Sequence, residues 1–514
     1  MQHKETILII DFGSQFTQLI TRRIRESNVY SEIHPHTITI EQIQKINPVG
    51  IILSGGPMSV YDDGAPKADK SIFELKKPIL GICYGMQLIC LNSNGIVEPA
   101  KDREYGKATL RISDHSNKLF KNVSQTSTVW MSHGDYLTKI PDQFEAIATS
   151  DFSPICAISN EKERIYGVQF HPEVIHSIEG KKIIDNFLFG ICDCTGDWTS
   201  HNFVEESIKY IRNLTGDSKV ICALSGGVDS TVAAVLVKKA IGKNLICIHI
   251  DTGLMRKNES AEIEKIFDRQ LRLNVKYIDA SEKFLKKLEG VSEPEKKRKI
   301  IGNTFIEVFE EESKKIENVE YLVQGTLYPD VIESTPVKGA SVTIKTHHNV
   351  GGLPEKMNFK LIEPFRELFK DEVRNVGREL NIPESFIERH PFPGPGLAVR
   401  IMGEITKSKL DTLREADDIF VKGLQSAGLY NKIWQAFCVL LPVQTVGVMG
   451  DFRTYENVLA LRAVTSTDGM TADWFRFDSD FLADISNKII NKVRGINRVV
   501  YDISSKPPST IEWE

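Results

Sequence analysis

The sequence predicts an α/β protein: two successive mostly parallel-sheet α/β domains followed by a small α+β C-terminal domain. Three observations predict it. Short apolar runs of strand length alternate with helical patterns, and that rhythm starts twice. Most of these runs end on Gly or a turn residue. A stretch dense in Pro and Gly, HPFPGPGLAVR at 390–400, then sets apart a tail in which helices pair with strands. A chain of 514 residues has room for about three domains, each able to bury its own core.

In chain order, TILIIDFG, VGIILSGGP and KPILGIC read as buried strands. SQFTQLITRRIRE and TIEQIQKIN lie between them as helices, so these strands run parallel. TLRI, TVWMS, FEAIATS and RIYGVQF follow as later strands of the same unit, and GKKIIDNFLFGIC closes it as an amphipathic helix. The polar DCTGDWTSHN, 193–202, is a linker or a helix start. The rhythm restarts with KVICALSGG, NLICIHIDTG, NVKYIDA and VEYLVQGT, separated by charged helices such as NESAEIEKIFDRQLRL. Beyond 400, the helix ITKSKLDTLREADDIFVKGLQ precedes the strands QTVGVMGD, YENVLALRAV and RVVYDI. The expected domains are 1–195, 200–393 and 394–514.

Hydrophobic residues at 41% and charged residues at 26% are ordinary for a soluble globular protein. A net charge of −5 argues against a surface that coats nucleic acid, and no nucleic-acid partner is expected. The eight cysteines form no CxxC pair or regular framework, and the CxC of Cys192 and Cys194 lacks the second ligand pair of a zinc site. The apolar run before Asp11 is too short for a signal-peptide core. No stretch reaches the roughly 18 apolar residues of a spanning helix, because Gln435, Pro442 and Gln444 break IWQAFCVLLPVQTVGVM. The expected setting is a reducing cytoplasm without membrane attachment, where Cys83 persists as a thiol.

In PILGICYGMQL a strand ends at Cys83 and a helix begins just beyond. Such an elbow presents the sulfur to the helix N-terminus, whose dipole and free N–H groups favour thiolate. Gly81 and Gly85 leave room for the turn. VQFHPEV supplies a base, His171, and a carboxylate to orient it, Glu173. The glycines of ILSGGP, Gly56 among them, and the N–H of Tyr84 can face a developing oxyanion. The G-x-C-x-G-x-Q elbow and H-P-E triplet resemble those of class I glutamine amidotransferases. That resemblance implies Cys83 as nucleophile, His171 as general base and acid, Glu173 as orienter, and Gln87 and Asp135 as glutamine contacts.

The second signature is ALSGGVDST, a strand, a Ser–Gly–Gly turn and a helix start. Loop and helix amides around Gly226, Gly227 and Val228 form an anion cradle, with Ser225, Ser230 and Thr231 adding hydroxyl donors. Asp229 beside an anion makes sense if it holds the Mg²⁺ that accompanies ATP. The lysine of a Walker loop is absent, so this loop grips a leaving pyrophosphate and attack falls on the α-phosphate. The motif resembles that of the PP-loop ATP pyrophosphatases. In that family neighbouring strand ends hold the adenosine, here HIDTG and VQGTLYPD with Gly325.

The whole order resembles the family of glutamine-hydrolysing GMP synthases, with HPFPGPGLAVR, the lid-like IKTHHNVGGLP and the tail SKPPSTIEWE as marks. The resemblance implies xanthosine 5′-monophosphate (XMP) as acceptor, an O2-adenylyl intermediate, and glutamine and ATP as co-substrates. It assigns XMP or lid contacts to Arg298, Lys345, Gln435, Lys506, Thr510, Ile511 and Glu512, and implies a homodimer through the C-terminal domain. Read alone, Lys506 is a cation for phosphate, and Ile511 with Trp513 speaks for a folded tail. Two alternatives stand beside this: a PP-loop amidotransferase acting on another carbonyl such as tRNA, and a binding-only sensor, which would not need Cys83, His171 and Glu173 intact.

Overall fold

The computed structural model describes residues 3–334, 359–449, 452–466 and 471–514. The chain divides into two compact units, Met1–Asn202 and Phe203–Glu514.

The first unit carries nine strands: β1 (Thr6–Asp11), β2 (Tyr30–Pro35), β3 (Gly50–Leu53), β4 (Ile79–Ile82), β5 (Ile96–Ile112), β6 (Thr126–Lys139), β7 (Glu145–Thr149), β8 (Ala157–Asn160) and β9 (Ile165–Val168). They form one sheet in the order β2-β1-β3-β4-β9-β8-β7-β5-β6. From β2 to β9 the pairing is parallel, and from β9 to β6 it is antiparallel. The sheet is therefore mixed. The short turn from Asn160 to Ile165 has no room for the crossover a parallel pair needs, so β8 and β9 form a hairpin. Strands β2 and β8 escaped the sequence reading, since YSEIHP and AISN are short and carry too few apolar residues to register as strands.

Helices α1 (Thr17–Arg25), α2 (Ile40–Ile46), α3 (Tyr84–Asn92) and α4 (Gly180–Asp185) cover the sheet. Alternate residues of β1 feed two separate apolar clusters, Ile7 and Ile9 on one face, Leu8 and Ile10 on the other. Burial on both faces explains why the parallel strands read as unbroken apolar runs. Helix α3 lies very close to the sheet. A Cβ on Gly85 would stand 2.2 Å from the Leu53 carbonyl oxygen, and one on Gly81 would stand 2.5 Å from the Gly85 carbonyl carbon.

The second unit begins within α5 (Ser200–Thr215) and continues β10 (Lys219–Leu224), α6 (Val228–Ile241), β11 (Leu245–Asp251), α7 (Glu259–Lys265), β12 (Val275–Asp279), α8 (Ser281–Leu288), α9 (Pro294–Ser313), β13 (Val319–Val323), α10 (Tyr328–Ser334), β14 (Lys360–Ile362), α11 (Lys370–Glu379) and α12 (Glu384–Ile387). Its first sheet is wholly parallel, β12-β11-β10-β13-β14. Then come α13 (Lys407–Ser426), β15 (Gln435–Met449), β16 (Phe452–Thr465), β17 (Asp473–Trp474), α14 (Ser479–Lys492) and β18 (Ile496–Tyr501). Strands β15, β16 and β17 are antiparallel, and β18 pairs β16 in parallel. The sequence reading placed a separate strand at QTVGVMGD; instead QAFCVLLPV belongs to the same long β15. Pro442 is tolerated there because it falls inside the register shift between Leu440 and Gln444.

Residues 390–400 carry no strand or α-helix, as expected, yet they are not a loose connection. Leu397, Ala398, Val399 and Arg400 are fully buried, and the Leu397 N–H donates to the Leu254 carbonyl. One apolar cluster runs from Ile248 and Leu254 through Leu397 and Ile401 to Phe420, Leu440 and Ile485.

Candidate active site

In the first unit, Cys83 stands between β4 and α3 with φ +52° and ψ −105°, a backbone conformation that side-chain-bearing residues rarely adopt. Such strain costs roughly 1–3 kcal/mol and persists where the surroundings over-determine it. Here the Cys83 N–H is fixed to the Val168 carbonyl at 2.8 Å and the Gly85 N–H to the Ser54 carbonyl at 3.1 Å. The thiol is 4% exposed, within 3.6 Å of the Ser132 carbonyl oxygen.

His171 and Glu173 follow β9, as the sequence predicted. His171 Nδ1 is 2.7 Å from Glu173 Oε1, and the carboxylate is wholly buried. Burial alone would depress the imidazole's pKa. The Glu173 carboxylate and the hydrogen bond with Cys83 outweigh it and hold His171 up at about 10. Near neutrality the ring is therefore an imidazolium paired with the Cys83 sulfur, not a free base. Phe16 presses edge-on against it, 5.0 Å between ring centres, and Ser177 Oγ donates to its carbonyl.

Of the predicted glutamine contacts, Gln87 is buried and donates to the main-chain carbonyl of Asp135 at 3.2 Å, an atom also 3.0 Å from His133 Nδ1. Gln87 thus fixes β6 beside the elbow, and the Asp135 contact runs through backbone. Gly56 packs on Tyr84, whose hydroxyl donates to the Pro66 carbonyl and whose pKa burial raises to about 12. Its neighbour Gly55 lies nearer the machinery, since a Cβ there would stand 3.1 Å from His171 Cε1.

In the second unit, Ser225, Gly226 and Gly227 link β10 to α6. Gly226 has φ +82°, and a Cβ on it would strike Ile263 at 2.4 Å. Ser225 Oγ lies 3.1 Å from Ser230 Oγ and accepts the Gly227 N–H, which closes the loop on itself. Thr231 Oγ1 donates to the Gly227 carbonyl at 2.9 Å. Val228 and Asp229 open α6. Gly325 follows β13, and a Cβ on it would stand 3.6 Å from Asp229 and Ser230. Asp229 Oδ1 is buried with no hydrogen-bond partner, and Oδ2 pairs with Lys370 Nζ at 3.5 Å. Lys370 was not foreseen.

The tail is folded. Glu512 receives Arg400 through Nε at 3.2 Å and Nη2 at 2.9 Å, and Gln435 Nε2 at 2.6 Å. Glu512, expected among the XMP contacts, is thus engaged by a fully buried guanidinium, itself 4.2 Å from the Phe437 ring centre. Arg298 bonds the Glu514 main-chain oxygen. Its neighbour Lys297, 0% exposed, donates to the Ile401 carbonyl at 2.7 Å and Glu514 Oε2 at 2.6 Å, and burial lowers its pKa. Lys297 lies on the same buried helical face as Ile301, Thr304 and Val308, a periodicity that could have found it. Arg462 holds the carbonyls of Thr510 and Ile511, and the Lys506 backbone pairs with Ala472. Ile511 packs on Phe437 and Val439. Lys345 lies outside the described residues.

The description "Glutamine amidotransferase class-I" matches residues 8–191, "NAD synthase" 200–304 and "GMP synthase C terminal domain" 422–513. A glutamine-hydrolyzing GMP synthase of Brachyspira hyodysenteriae is 59% identical over 510 residues, covering 99% of both chains. The protein of that name from Aquifex aeolicus is 58% identical over 511 residues, 99% of this chain and all of its own. That from Chlorobium chlorochromatii is 59% identical over 515 residues, with the same coverage.

Proposed function

Because the chain belongs to the family of glutamine-hydrolysing GMP synthases, we propose that its residues divide the reaction between a thiol site in the first unit and a nucleotide site in the second. The enzyme is a ligase that makes GMP from XMP, ATP and glutamine. The tRNA alternative is set aside, since relatives matched from end to end are GMP synthases.

Cys83 as thiolate adds to the glutamine amide carbon. His171, already protonated, gives its proton to the departing ammonia; now neutral, it takes a proton from the water that attacks the thioester, so that glutamate leaves, the thiolate reforms and the ring is again charged. Glu173 keeps the imidazole charged and aimed. The Tyr84 N–H is the elbow amide offered to the oxyanion, a reading supported by the commitment of the Gly85 N–H to Ser54. Gly56 borders that space.

In the second unit the 225–230 loop and Gly325 receive the ATP phosphates. The C2 oxygen of XMP attacks the α-phosphorus and pyrophosphate leaves. Adenylylation turns a poor oxygen leaving group into a good one, and ammonia then displaces AMP at C2. Mg²⁺ fits here: Asp229 Oδ1 is a buried carboxylate oxygen without partner. Among the described residues no group of three or more His, Cys, Asp or Glu could hold a metal. When bound it neutralises charge on the triphosphate. Arg298, Gln435, Lys506, Thr510, Ile511 and Glu512 would hold XMP, with Lys345 neutralising the transferred phosphoryl group.

The domains would divide at 1–195, 200–393 and 394–514. A homodimer through the last is supported by apolar side chains exposed along β15 and β16: Val446, Val448, Phe452 and Tyr455. Sedimentation as a monomer at micromolar concentration would remove it. A cytoplasmic setting is supported by eight buried cysteines, all free.

The observation that carries this reading is His171 held between the Cys83 sulfur and the buried Glu173 carboxylate. Cys83→Ala should abolish GMP formation from glutamine and retain it from ammonium, with AMP and pyrophosphate as products. Loss of both activities, or ADP and orthophosphate as products, overturns it.

A further inference from the structure

Strand β9 ends at Val168, and just beyond it Gln169 and His171, two residues apart, share one side. Gln169 is 0% exposed. Its Nε2 lies 3.7 Å from Cys83 Sγ, and its N–H is fixed to the Cys156 carbonyl at 2.8 Å. Its Oε1 is buried and has no hydrogen-bond partner. A fold that needed this residue for packing alone would not bury half an amide unpaired, because an apolar side chain of similar size avoids that penalty.

The sulfur thus faces two donors and one acceptor. His171 and the Gln169 amide stand after β9, and the Ser132 carbonyl faces them from β6. An N–H directed at sulfur is weak against a thiol and strong against a thiolate, since a charged acceptor roughly doubles the bond.

We infer that Gln169 is a positioning residue for the glutaminase reaction: its amide N–H holds the Cys83 sulfur as thiolate and fixes the sulfur's direction at the elbow. The inference rests on Cys83 being the nucleophile. The titratable groups around the sulfur are His171 and Glu173 beyond β9 and, one residue past Ser132 on β6, His133 paired with Glu104 at 3.3 Å. The 54–57 segment brings none.

The test is the pH dependence of Cys83 alkylation by iodoacetamide in the full-length enzyme, read by peptide mass, beside glutaminase kcat and KM. Gln169→Met keeps the volume and removes the amide. It should move the alkylation midpoint up by about 1 pH unit and lower kcat about tenfold at neutral pH, with KM for glutamine little changed. Gln169→Glu puts a carboxylate against the sulfur and should move the midpoint further up. Thermal melting checks that both variants fold. If either fails to fold, the other decides alone. An unmoved midpoint in a folded variant overturns the inference, as does a downward shift. Cys83→Ala separates this from the underlying reading: if it retains glutaminase activity, the nucleophile assignment has failed, whatever Gln169 does.

Discussion

Glu173→Gln separates the charge of the catalytic pair from its geometry. The Glu173 contact to His171 is a single hydrogen bond, Nδ1 to Oε1 at 2.7 Å, and Oε2 has no partner. A glutamine can keep that bond through its carbonyl oxygen, so the ring stays aimed while the carboxylate charge is lost. That charge and the contact with Cys83 hold His171 at about 10 against burial. Without it the ring loses its first raising cause and falls towards its ordinary value of about 6.5, with the Cys83 contact left to oppose burial. At about pH 7.5 the native ring is almost wholly protonated, whereas a group titrating at about 6.5 is roughly one-tenth protonated. Glutaminase turnover should therefore fall up to about tenfold at that pH and recover as the pH is lowered towards 6. The assay is glutamate release against pH for both enzymes, with GMP formation from ammonium as internal control. A variant whose rate is unchanged at about pH 7.5, or falls without pH dependence, refutes the claim that Glu173 acts by keeping His171 charged.

Three further outcomes follow from the same contacts. Gly85→Ala drives a methyl to within 2.2 Å of the Leu53 carbonyl oxygen, so α3 must lift from the sheet; glutaminase activity should be lost and the melting temperature of the first unit should fall. Asp229→Asn should suppress pyrophosphate release and raise the Mg²⁺ requirement in a titration, while glutaminase chemistry in the first unit survives. His390 stacks on Tyr430, accepts the Ala436 N–H at Nδ1, and is pushed down to about 4 chiefly by burial. Its folded pKa lies below the unfolded one, so its contribution is intact above about 6.5 and is lost as pH falls to about 4. Denaturant titration of the second unit should lose about 3 kcal/mol across that window, and His390→Gln should flatten the loss.

Much of this was legible because the chemistry is local. The Cys83 elbow, the H-P-E triplet and the SGGVDS loop each lie within one strand end and the residues that follow, where spacing alone sets geometry. Parallel strands such as β1 and β10 read clearly because both faces are buried. What escaped depends on partners far along the chain. Arg400 looks like any arginine in GLAVR until Glu512 arrives at it, and Lys370 gains meaning from Asp229. Edge strand β2 and the short β8 lack an apolar run, so pairing and not propensity makes them strands. Gln169 was readable in principle, two residues before His171 on the same side.

The link from Lys297 to Glu514 spans 217 residues, and that from Arg400 to Glu512 spans 112. Both cations lie in the interior of the second unit and are neutralised by side chains synthesised long after them. Chain growth is slow beside local folding, so residues 1–202 can reach their native form while the rest is still being synthesised. The nucleotide half must wait for Glu512 and Glu514 before those charges are matched. Ribosome stalling before Glu512 is synthesised should therefore yield a competent glutaminase tethered to an incompletely folded synthetase.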